Sequence, residues 1–175
     1  MDKKAINTKT PSFEQAINIS RGWCEEWKDE LLSDEVLADR IFEIIQTQAG
    51  LRGFFAYVLS DINCFLMDKL PYALIFKFRE EGIRVVKITI KNLIMSSAQV
   101  IQHKEDKNYE YEKISNNISD RCINLLKELD TKLVIKEINQ IINKLDELGN
   151  SMDNSSKYTD KQKEYIKERI NMIAN

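Results

Sequence analysis

Histidine, proline and glycine are scarce in this 175-residue chain, at one, two and five residues respectively. Few prolines and glycines argue against an all-β fold, which needs many turns. A single histidine cannot complete a usual zinc set, and no CxxC pair is present to help it. The three cysteines, Cys24, Cys64 and Cys122, are odd in number and far apart in sequence. They read as free, buried thiols in a reducing cytosol. No glycine-rich phosphate loop, GxSxG elbow or HExxH pair occurs.

Long apolar runs are missing as well. No stretch approaches the eighteen or so uncharged apolar residues of a membrane span. The start, MDKKAINTKTPSF, lacks the apolar core of a secretory signal. An excess of one charge is also missing. Residues 1–82 carry ten Lys/Arg against fourteen Asp/Glu, and residues 83–175 carry sixteen against fourteen. Neither half has the basic excess of a sequence-independent nucleic-acid binder. These features predict a cytoplasmic protein with no membrane partner, no cofactor and no metal site.

What is present suits long helices. Apolar residues make up 43% and charged residues 31%, a globular balance. Residues 1–11 read as a mobile arm. Ser12 to Gln15 has capping-box spacing and opens a helix over about 13–32, with Phe13, Ile17, Cys24, Trp27 and Leu31 inward. Ser33 or Asp34 can cap a second, about 35–48, with Leu37, Ile41, Ile44 and Ile45 inward. Gly50 and Gly53 read as a tight break before the apolar run Phe54–Leu59. Pro71 suits a first helical turn and Gly82 a helix end. Further helices are expected over 84–104, 110–129 and, capped by Thr131, 132–148. Residues 149–158 read as a linker. The capping box Thr159 to Gln162 opens a charged C-terminal helix within 159–175.

The predicted fold is therefore all-α. It is a single-domain bundle of seven to eight helices, residues 12–148, around a central helix 84–104. The alternative is α+β, with a short hairpin pairing 54–59 with the β-branched stretch 85–90.

Four constellations invite a functional reading. On the central helix, Asn92, Ser96, Gln99 and His103 fall within a sector of about 60° at helical spacing. Such a polar seam could line a pocket with His103 as acid, base or ligand, or it could bond to a neighbouring helix. The second is a basic stripe, Lys77, Arg79, Arg84, Lys87 and Lys91, which could bind phosphate or simply be solvated. The third is the acidic cluster Glu25, Glu26, Asp29 and Glu30. It lacks the paired Glu-x-x-His of di-iron bundles, since position 100 is Val. The fourth is Trp23 with Trp27, one turn apart, which suits packing better than a stacking platform.

No second catalytic group stands at a defensible spacing. The sequence accordingly predicts a non-enzymatic interaction or scaffold protein that self-associates or binds another protein. The alternatives are a small all-α enzyme or ligand-binding protein using the seam, and a phosphate or nucleic-acid binder using the stripe, nucleic acid being the least favoured partner.

Overall fold

A computed structural model describes residues 10–150 and 158–173, with side chains given except for 144–150. Among the described residues there are eight helices and no strand. The all-α expectation holds, and both segments of the alternative hairpin are helical. The contacts gather into two compact units, residues 1–81 and 82–175. Residues 1–9 of the expected arm and 151–157 of the expected linker lie outside the described residues.

The first unit contains α1 (Phe13–Lys28), α2 (Asp34–Ile45), α3 (Gln48–Ser60) and α4 (Tyr72–Glu81). Helix α1 opens on the expected capping box. Gln15 N donates to Ser12 Oγ at 3.2 Å, and Ser12 N donates to Gln15 Oε1 at 2.9 Å. It closes earlier than the periodicity predicts. Glu30 takes the left-handed conformation at φ 59°, and Leu31 N reaches back to Glu26 O at 2.8 Å. Leu31 is thus outside the helix and 73% exposed.

The buried face of α1 is also narrower than expected. Ala16, Ser20 and Cys24 are inside, while Phe13 is 40% exposed. The reason lies in α3. Gly50 and Gly53 do not break the chain but sit within that helix, which Thr47 caps through Gly50 N at 2.9 Å. A Cβ on Gly53 would lie 2.6 Å from Ala16 Cβ and 2.6 Å from Phe13 O. Two small residues therefore let α1 and α3 approach closely. Each interior glycine costs the helix roughly 0.5–1 kcal/mol, and the tight helix contact offsets it.

That contact organises an aromatic core. Phe54 and Phe55 of α3 meet Phe78 of α4 at centroid distances of 5.9 and 5.7 Å, and all three are fully buried. Burying one such side chain contributes about 1.5–3 kcal/mol. Leu37, Ile41, Ile44 and Ile45 of α2 complete the interior as the sequence predicts.

The second unit contains α5 (Ile83–Glu105), α6 (Tyr109–Glu128), α7 (Thr131–Asn150) and α8 (Asp160–Asn171). Gly82, at φ 65°, opens α5 without a side-chain cap. Lys107, at φ 57°, turns the chain between α5 and α6, which pack along each other as a helical hairpin. Serines sit where the two backbones approach, with Ser97 Oγ and Ser119 Oγ 3.3 Å apart. Asp130 caps α7 instead of Thr131, accepting from Leu133 N at 2.9 Å. Gly149 and Asn150 are the last residues of α7.

Helix α8 lies against α5 and α6. Ile166 and Ile170 are buried, and Gln162 Nε2 donates to Ala98 O at 3.1 Å. Tyr165 Oη donates to Asn116 Oδ1 at 3.1 Å. Its Arg169 is 8% exposed. Nε of this arginine donates to Ser119 Oγ at 2.9 Å, and its NH2 nitrogen pairs with Asp120.

Candidate functional site

The residues of the predicted seam have separate surroundings along α5. Asn92 Nδ2 donates to Ile88 O at 2.9 Å, and the buried Ser96 hydroxyl donates to Leu93 O at 3.1 Å. Both are satisfied by their own helix. Gln99 is exposed, and the half-buried His103 ring stands 5.6 Å from that of Tyr111. The fully buried polar residues of α5 are Thr89, Ser96 and Ser97. Ser96 belongs to the predicted line, while Ser97, one residue on, meets Ser119 of α6.

The basic stripe is divided between the units. Lys77, in the first, pairs with Asp39 at 3.0 Å and lies 5.0 Å above the Phe42 ring. Lys87, in the second, reaches Glu137 at 4.0 Å. Arg79 and Arg84 are also engaged, and Lys91 is exposed. In the acidic cluster, Glu26 pairs with Arg40 at 3.2 Å. No group of three or more His, Cys, Asp or Glu residues among those described could hold a metal ion. Trp23 lies beneath Arg40, and Trp27 Nε1 donates to Asp34 Oδ1 at 2.8 Å.

Two features were not legible as sites in the sequence. The first is a cleft of about 390 Å³ in the first unit, between α1 and the turn after α3. Its wall includes Arg21, Cys24, Tyr57, Asp61, Cys64 and Phe65. Cys24 and Cys64 are forty positions apart in the chain, yet their side chains hydrogen-bond here. That bond, burial, and the nearby Glu25 and Asp61 carboxylates hold the Cys24 thiol well above the ordinary thiol range. Burial and the two sulfurs likewise raise the Tyr57 phenol. At neutral pH the Cys24 thiol and the Tyr57 phenol are therefore uncharged. Arg21 stacks over Tyr57 and Lys28 over Phe65, each at 5.6 Å. The third thiol, Cys122, is fully buried in the second unit, where burial pushes its pKa up to about 12.

The second feature is on α4. Leu74, Ile75 and Phe78 turn inward, whereas Tyr72 and Phe76, one turn apart, are 79% and 65% exposed. A helical wheel of this helix would have shown the pair, since both lie opposite the buried stripe.

These elements define a many-helix protein whose described residues contain no helix long and apolar enough to cross a membrane. A family model described as uncharacterised conserved protein UCP020893 matches residues 12–173, and the chain belongs to that family. No curated protein matches it, and no solved structure does.

Proposed function

We propose that this chain is a non-enzymatic helical interaction protein that self-associates or binds another protein, with α4 as the contact helix. The observation that carries this reading is the exposed pair Tyr72 and Phe76. Isolated apolar residues on a surface are ordinary, but two large aromatics on one turn of a well-anchored helix form a contact patch. Aromatic side chains dominate the energetics of protein interfaces. The buried Leu74, Ile75 and Phe78 fix the helix, so little order has to be imposed on binding.

Sedimentation velocity at two protein concentrations tests the reading, with Tyr72→Ser/Phe76→Ser as the comparison. Both positions are exposed, so the variant keeps its helical circular dichroism. The wild type is expected to sediment faster at the higher concentration, and the variant is not. A wild type that stays monomeric and captures no protein that the variant fails to capture would sink the proposal. Association unchanged in the variant would remove α4 as the contact helix.

A further inference from the structure

The cleft in the first unit supports a modification site that does not depend on the α4 interface. We infer that Cys24 and Cys64 are a dithiol that closes to a reversible disulfide. Three observations meet there. The two side chains are already in hydrogen-bond contact, both line one cleft, and both are free thiols. A bond of about 2.05 Å between the two sulfurs would replace that contact. The cleft supplies the access that burial alone would deny, since Cys24 is 6% and Cys64 3% exposed. Cys122 has neither a described thiol partner nor a place in the cleft wall.

The partner is a small external disulfide, and thiol–disulfide exchange balances the step. One cysteine, as thiolate, attacks a sulfur of the external disulfide. A mixed disulfide forms and one small thiol leaves. The second cysteine attacks the protein sulfur of that mixed bond, forming Cys24–Cys64 and releasing the second small thiol. Two electrons pass to the external disulfide, and the two cysteine protons end on the departing thiols. Confinement favours the second step over a lasting mixed adduct, because the resolving thiol is already in place. The bond to Cys64, burial and the nearby carboxylates keep the Cys24 thiolate scarce, so the exchange is slow and governed by equilibrium rather than by rapid sensing.

The bond would tie α1 to the turn following α3 and close a loop of about forty residues, a constraint that acts mainly on the unfolded chain. The full native chain is incubated with mixtures of reduced and oxidised glutathione, without denaturant, then acid-quenched and mapped by mass spectrometry. The expected result is a Cys24 peptide joined to a Cys64 peptide, with Cys122 free. The cross-linked fraction should follow the glutathione mixture as a two-electron couple, and the cross-linked chain should have a higher Tm. Cys122→Ala should leave the cross-link unchanged. Glutathione held separately on Cys24 or Cys64, thiols untouched across the whole range, or a bond to Cys122 would each overturn the inference. Because the wild-type map is the primary readout, the result stands even if Cys24→Ser folds poorly.

Discussion

Arg169 Nε donates to Ser119 Oγ at 2.9 Å in the interior of the second unit, so a residue of a highly charged helix is one of its anchors. The same guanidinium pairs with Asp120, but the two ends are unequally placed. The arginine side chain is 10% exposed and the aspartate 57%. The buried end carries the energy.

Replacing Arg169 with Ala should therefore cost about 2–3 kcal/mol, from lost hydrogen bonds to a charged group and lost packing of its stem. Asp120→Asn should cost less than about 1 kcal/mol, because solvent screens an exposed partner. Urea unfolding of both variants checks the contrast. Equal losses would show that the ion pair, not the buried bond, holds α8.

Two glycines of the first unit should respond in opposite directions to the same change. A methyl group on Gly22 of α1 meets nothing within 4 Å. Gly22→Ala should raise stability by about 0.5–1 kcal/mol through helix propensity. Gly53→Ala should lower it by about 1–3 kcal/mol, because the added carbon overlaps α1. Unfolding followed by the fluorescence of Trp23 and Trp27 reads both. A neutral Gly53→Ala would mean that α1 and α3 can separate without loss.

The hydroxyl of Ser20 is buried on α1 with no hydrogen-bond partner. An unsatisfied buried polar group costs about 1–3 kcal/mol. Ser20→Ala should thus be neutral or stabilising by up to about 1 kcal/mol, against the usual trend for a core substitution. A clear loss in denaturant midpoint would reveal an ordered water bound to that hydroxyl.

Alkali should weaken the fold through its thiols. Cys122 holds its proton up to about 12 in the folded chain. An unfolded thiol releases its proton near 8.5. The folded state binds the proton more tightly, so this contribution is complete below about 8.5 and is lost as pH rises towards about 12. Between those values the slope is roughly 1.4 kcal/mol per pH unit for one such group. Cys24 and Tyr57 shift in the same direction. Cys122→Ala should show a shallower decline over that range in stability measured against pH. An unchanged slope would assign the alkaline loss to the other groups.

Much of the architecture was legible because it rests on local signals. The Ser12 and Thr159 capping boxes form as their spacing predicts, and the inward face of α2 follows from the helical period. What was not legible depends on partners distant in the chain. A glycine that ends a helix and one that lets a helix press against another are the same letter, so Gly53 read as a break. The C-terminal helix reads only as charged, and nothing local marks Arg169 as inward, because its partner Ser119 lies fifty positions back. The seam was half visible. Periodicity marks Ser96 as inward but cannot separate it from the exposed Gln99 without the position of α6. The Cys24–Cys64 pair had no local signature, since the contact is made only when α1 packs beside the end of α3.

The hydrogen bond from Gln162 to Ala98 joins residues 64 positions apart, and the bonds from Tyr165 to Asn116 and from Arg169 to Ser119 span 49 and 50. During synthesis, α5 and α6 leave the ribosome as a hairpin whose Ser119 hydroxyl still awaits its arginine. At about 5–20 residues per second they wait several seconds for that helix to be made. Over that interval the incomplete unit leaves uncovered the ground that Ile166 and Ile170 will occupy.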